Sequence, residues 1–209
     1  FTNEGGFGGT IRFLKNITGL RIVQECRRYW GSIGESMNYT EITKLAAEAK
    51  PFTCLLDTEY PEFLKPGDMP NKVKHYAEMT GQSVPQTKGE IVRSVLESLA
   101  MKYREEFQKM EQVKGKTIEK LNIVGGGTQN KLLNQFAANA LNREVITGPV
   151  EATALGNILG QLISLGEIKD AAEAREVVKN SCDLEQYTPE NVAQWETAYG
   201  KYCKLLSLD

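Results

Sequence analysis

The chain has 209 residues, with 25 Lys and Arg against 27 Asp and Glu, a formal charge of −2 and a sequence pI of about 5.7. That length can bury a proper core. The scattered, balanced charge, the lack of any run of about 18 apolar residues and the lack of a signal peptide point to a soluble, cytoplasmic protein without a nucleic-acid or membrane partner.

Residues 1–10 read as a glycine-rich loop. From Ile11 to Arg28 the pattern becomes helical, with a break at Gly19. Tyr39-Thr40-Glu41 opens a second helix, with Thr40 as its cap. Phe52–Leu56 reads as a short extended segment. The proline-punctuated stretch from Asp57 to Pro70 reads as a long loop. The only histidine, His75, falls in a polar run and is expected on the surface. Lys88–Val113 is the longest helix in the pattern, with Val92, Val95, Leu96, Leu99, Tyr103, Phe107 and Met110 on one face and Gly115 as its stop. A strand over 121–124, a helix over 131–141 and a strand over 144–147 follow. Ala152–Leu165 reads as an apolar helix packed closely on a sheet. Two more helices begin at Asp170 and at Thr188-Pro189-Glu190, the last burying Val192, Trp195, Tyr199 and Tyr202. Cys26, Cys54, Cys182 and Cys203 form no Cys-x-x-Cys pair. Free thiols are therefore expected, with no metal site.

Strand, loop, helix, strand, loop and helix between 120 and 165 make a parallel β/α unit, so the fold class is α/β. Ligands of such units sit at the carboxyl ends of the strands. There the sequence places Ile123-Val124-Gly125-Gly126-Gly127-Thr128-Gln129-Asn130. Three glycines let backbone N–H groups approach a ligand, and the following helix turns its positive end toward the same place. The spacing fits neither the P-loop, which needs Gly-Lys-Ser/Thr, nor the dinucleotide fingerprint, which needs glycine at Asn130. A tight turn without a ligand remains the alternative. The second loop, Gly148–Thr153, should lie beside the first.

Phe1-Thr2-Asn3-Glu4-Gly5-Gly6, Phe13–Leu20 with Gln24, Ile123–Asn130 and Gly148–Asn157, taken in order, resemble the FGGY carbohydrate kinases. Lys88–Ala100 resembles the long helix before that family's glycine loop. The resemblance implies an actin-like ATPase (ribonuclease H-like) fold, and this chain matches only the C-terminal, ATP-binding domain. Cofactors implied are ATP and Mg²⁺. Asn16 and Gln24 are implied nucleotide contacts, and Gly125, Gly126 and Gly127 the loop against the adenosine or its phosphates. The activity implied for the whole protein is γ-phosphoryl transfer to a ketose, L-rhamnulose first and an L-fuculose-type sugar as the alternative. A noncatalytic nucleotide-binding module is the rival of another class.

The family's catalytic aspartate and its Ser-Gly-Thr phosphate stretch have no counterpart here. Asp57, Asp68, Asp170 and Asp183 lie in other contexts, so no catalytic residue is assigned. The expectation is a piece of a longer protein, lacking the first strands of its sheet. The sugar would be held mainly by an N-terminal domain outside this chain. The strand edge beside Ile123 would be left open, or covered by Phe1–Thr10.

Overall fold

The computed structural model describes residues 1–207. The N-terminal stretch folds back on itself, where loop and helix are expected. Strands β1 (Thr2–Gly5) and β2 (Ile11–Leu14) pair antiparallel, with Thr2 opposite Leu14 and Gly5 opposite Ile11. Gly8 and Gly9 turn the chain between them with φ of 66° and 75°, a region that costs glycine little and other residues much. That turn lets Ile11-Arg12-Phe13-Leu14 pair as a ribbon, and Phe13 stacks on Phe1 at 4.6 Å. The helix waits until Leu20: α1 spans Leu20–Ser32, and Gly19, the expected break, is its N-cap. A Cβ on Gly19 would sit 2.0 Å from Leu99 Cδ1.

Helix α2 spans Tyr39–Glu48. Its cap is Asn38 and not Thr40. Asn38 Oδ1 accepts from Glu41 N–H at 2.9 Å, and the Glu41 carboxylate accepts from Asn38 N–H at 2.8 Å. This reciprocal pair satisfies two donors at once. Phe52–Leu56 is irregular, and side chains take the place of strand partners. Gln82 both accepts from Leu55 N–H and donates to Leu55 C=O, each at 2.8 Å, while Leu56 N–H reaches Ser98 Oγ.

The expected long loop contains α3 (Pro61–Leu64) and leads into α4 (Met69–Met79). Pro61 and Pro70 sit in the first turns of these helices, where the missing N–H costs nothing. Asp68 caps α4, accepting from Asn71 N–H at 3.1 Å. His75 lies on its exposed side, 3.8 Å from Glu78.

Helix α5 (Lys88–Lys114) carries a capping box from Thr87 and Glu90 and ends at Gly115, φ 68°. Helices α1, α2 and α4 pack on it, as do α6 (Lys131–Leu141) and α9 (Val192–Leu206). Val95, Leu96, Leu99, Phe136, Trp195 and Tyr202 are buried in the core these helices share.

Strands β3 (Lys120–Ile123) and β4 (Glu144–Thr147) are parallel, as expected, with Lys120 opposite Glu144 and Ile123 opposite Thr147. The short β5 (Glu185–Tyr187), which has no clear sequence signal, adds antiparallel to β4, giving the order β3-β4-β5. Helix α6 covers this sheet through Ala137 and Ala138 against Val145. Among the described residues no strand pairs with the outer edge of β3. The N-terminal ribbon forms its own two-stranded sheet and does not pair with that edge.

Two C-terminal expectations need correction. Helix α7 (Ala152–Leu165) buries no residue, and a Cβ on Gly156 or Gly160 would meet nothing within 4 Å, so α7 is not packed on the sheet. The helix that packs on the sheet is α6, through Ala137 and Ala138 against Val145. Helix α8 (Ala171–Ser181) is capped by Asp170 as expected. Helix α9 starts at Val192 after Asn191, φ 52°, and not at Thr188. Glu190 N–H is tied instead to Asn139 Oδ1 at 2.8 Å.

Candidate nucleotide site

A groove of about 720 Å³ runs between α2 and the glycine loop, a size ordinary for small-ligand sites. Leu20, Val23 and Val92 form an apolar floor from α1 and α5. Tyr39, Thr40 and Thr43 form one wall. Gly126, Gly127, Gln129, Asn130 and Lys131 form the other. An apolar floor suits a flat ring, and the polar wall at a helix N-terminus suits an anionic group.

The loop is held rigid from below. Gly125 sits at φ 82°, ψ −168°, a conformation almost confined to glycine. Its N–H donates to Pro149 C=O at 3.0 Å, and Gly148 N–H donates to Ile123 C=O at 2.7 Å, so the two loops are neighbours as expected. Thr128 Oγ1 donates to Gly125 C=O at 2.8 Å, and Asn134 Nδ2 donates to Thr128 C=O at 2.8 Å. Residues Gly126–Gln129 then make one turn of 3-10 helix, and Asn130 caps α6 by accepting from Leu133 N–H at 3.0 Å. A Cβ on Gly126 or Gly127 would meet no atom within 4 Å. These two glycines are therefore not required by packing, and a side chain there would project into free space beside the groove.

Of the sequence candidates, Gln24, Gly126 and Gly127 line the groove together. Gly125 is off the groove lining and makes the turn into the loop. Asn16 is exposed in the link between β2 and α1, off the groove lining. Tyr39, Thr43, Leu20, Val23 and Val92 carry no individual signal in the sequence. Only their helical periodicity is legible, and packing selects which of them face the groove. Lys131 lines it while its ammonium pairs with Glu185, which pushes its pKa up.

A second polar centre lies on α5. Lys102 is 4% exposed and sits 2.9 Å from Glu59, 3.1 Å from Glu105 and 2.9 Å from Glu106. Lys15 reaches Glu59 at 3.1 Å, and Lys109 reaches Glu106 at the same distance. Burial opposes ionisation of Glu59 and Glu106. Hydrogen bonds from Lys102, with Lys15 and Lys109, outweigh it and hold both below the usual carboxylate range. Three ammonium groups thus balance three carboxylates, which marks a brace between elements. Among the described residues no group of three His, Cys, Asp or Glu side chains could hold a metal ion.

A sequence profile of the FGGY family of carbohydrate kinases, C-terminal domain, matches residues 1–165. A rhamnulokinase of Bacteroides thetaiotaomicron is 42% identical over 199 residues, 95% of this chain and 40% of that protein. One of Bacillus subtilis is 36% identical over 192 residues, 92% of this chain and 39% of the relative. The chain thus spans about two fifths of the length of the curated relatives it matches. Among solved structures, a xylulose kinase from Rhodospirillum rubrum superposes with a TM-score of 0.63 at 18% identity, covering 90% of this chain and 37% of that one. A Plasmodium falciparum glycerol kinase with ADP gives 0.59 at 14% identity, covering 86% of this chain and 35% of that one. At those identities the likeness concerns the fold, that of the actin-like ATPases.

Proposed function

As this chain belongs to the FGGY family of carbohydrate kinases, through their C-terminal domain, we propose that it is the ATP-binding half of a cytoplasmic rhamnulokinase. The whole enzyme would transfer the γ-phosphoryl group of ATP to L-rhamnulose, giving L-rhamnulose 1-phosphate. The observation that carries the reading is the groove. A glycine loop whose Gly126 and Gly127 are free of packing demands faces an apolar floor across a space of nucleotide size.

Within it, Gly126 and Gly127 would let the nucleotide approach the backbone. Gln24, Gln129 and Asn130 offer donors and acceptors, and Leu20, Val23 and Val92 offer a surface for the base. Asn16 would reach the nucleotide only with the segment before α1 turned toward the groove. Mg²⁺ would supply charge neutralisation during phosphoryl transfer, and among the described residues no cluster of His, Cys, Asp or Glu side chains would hold it. The sugar, the catalytic aspartate and the remaining phosphate contacts would come from residues outside this chain. Among the described residues, no helix is long and apolar enough to cross a membrane.

The test uses the intact parent protein. ADP release is followed with L-rhamnulose and with L-fuculose, alongside ATP affinity of the unmodified protein and of Gly126→Val. Ketose-dependent turnover of about 1 to 100 per second is expected, strongest with L-rhamnulose. Gly126→Val should weaken ATP binding while leaving the thermal midpoint near that of the parent. A preference for L-fuculose would move the substrate within the family. ATP binding with no turnover on any ketose would return the chain to a noncatalytic nucleotide-binding module.

A further inference from the structure

The two walls of the groove are fastened to one another by a pair on α5, a half-buried arginine and a buried glutamate. Arg93 follows the floor residue Val92 on α5. Its Nη1 lies 3.2 Å from Ala46 C=O and 3.0 Å from both Ala47 C=O and Ala49 C=O, the last carbonyls of α2. Those carbonyls lack partners within their own helix and carry the negative end of its dipole. The same guanidinium stands 5.2 Å from the ring centroid of Phe136 on α6, within cation–π range. One side chain therefore touches the helix that supplies Tyr39, Thr40 and Thr43 and the helix that follows the glycine loop.

Glu97, one turn along α5 and 0% exposed, fixes that side chain. It accepts from Arg93 Nε at 2.8 Å and from Phe52 N–H at 2.8 Å. Phe52, just beyond α2, is held at φ 51°, an uncommon conformation for a bulky residue. Its ring meets Trp195 edge-on at 5.0 Å, and Trp195 meets Phe136 at 5.2 Å. The contacts close into a circuit: Glu97, Phe52, Trp195, Phe136, Arg93 and back to Glu97. Gly89 completes the fit. A Cβ there would sit 2.4 Å from Leu45 C=O, so α2 rests directly on the α5 backbone.

We propose that Arg93 and Glu97 are positioning residues for the nucleotide: they set the distance of the α2 wall from the glycine loop, and so the width of the groove. Neither lines the groove, and both act through α2. The inference rests on the nucleotide reading of that groove. It adds a pair of residues whose task is to hold a wall.

The test uses the intact parent enzyme, with ATP and ADP affinity measured by calorimetry and turnover measured in parallel. Arg93→Lys keeps the charge but loses the planar fork that serves Glu97 and the α2 carbonyls together. Gly89→Ala keeps both charges and pushes α2 outward. Both variants should raise the ATP dissociation constant by about tenfold or more, while kcat at saturating ATP and KM for the sugar stay near the parent's. Val73→Ala, a core truncation on α4, which packs mainly on α1, α3 and α5, should lower the thermal midpoint without changing ATP affinity. In the unmodified protein, ATP should slow amide exchange through α2 and at Phe52, a readout that does not depend on any variant folding. Unchanged ATP affinity in folded Arg93→Lys and Gly89→Ala would overturn the inference and leave the nucleotide reading standing, and so would ATP binding that leaves α2 exchange untouched. Absence of ATP binding by the unmodified protein would remove both.

Discussion

The Glu97 carboxyl makes a pH prediction with a definite sign. It is fully buried, and burial pushes its pKa up to about 7 from an ordinary value of 4.5, against the opposing pull of Arg93 and the Phe52 N–H. A carboxyl whose pKa is raised in the folded state binds its proton more tightly there than in the unfolded chain. Its contribution is fully present below about 4.5 and is lost as pH rises through about 7. A tenfold difference in proton affinity between the folded and unfolded chain corresponds to about 1.4 kcal/mol, so stability should fall by about 3 kcal/mol across that window. Glu59 and Glu106 act in the opposite direction, since their pKa values are lowered. Their contribution is lost only as pH falls below the ordinary carboxylate range, outside this window. The assay is urea unfolding at pH 5, 6, 7 and 8 for the protein and for Glu97→Gln, which cannot titrate. The unmodified protein should lose stability between pH 5 and 8, and the difference between the two should change by about 3 kcal/mol over the same range. Parallel curves for the two proteins would refute the reasoning, because the pH dependence would then belong to other groups.

Two further predictions concern stability. Lys102→Met leaves Glu59, Glu105 and Glu106 facing one another without their shared cation and should cost about 3–5 kcal/mol by urea unfolding at pH 7, much of it recovered near pH 4, where the carboxylates take up protons. Gly125→Ala places a Cβ at φ 82° and should cost about 1–3 kcal/mol. By contrast, Gly126→Val should leave the unfolding midpoint almost unchanged.

The elements most legible in the sequence are those whose signals are local. The α5 periodicity, its Gly115 stop, and the β3–loop–α6–β4 unit all lie within short windows and appear in the structure as expected. The N-terminal ribbon is not legible, because Ile11, Leu14 and Ile22 also fit a helical stripe and only the pairing across Gly8 and Gly9 decides between the two. Helix α4 hides behind prolines that look like loop punctuation but sit at helix starts. For the site, the glycine loop could be read and its opposite wall could not. Tyr39 and Thr43 become wall residues through the seating of α2 on α5, where Leu45 C=O lies over Gly89 and Arg93 reaches the α2 carbonyls. Arg93 and Glu97, four apart on a helix, look on paper like an ordinary solvent-facing ion pair. Their burial is a product of tertiary packing that no local pattern contains.

Helix α5 has a consequence for the order of folding. It is 27 residues long, about 40 Å at 1.5 Å per residue, and both ends are fixed by its own neighbours, Thr87, Glu90 and Gly115. It needs no distant partner to define its limits, which favours early formation once a first turn has nucleated. The groove walls are different: residues 39–43 and 126–131 are far apart in the chain and are brought together across α5 and α1. A chain assembling on this helix would therefore complete the groove among its last steps. Substitutions within the α5 core would then slow folding, whereas those confined to the glycine loop would chiefly hasten unfolding.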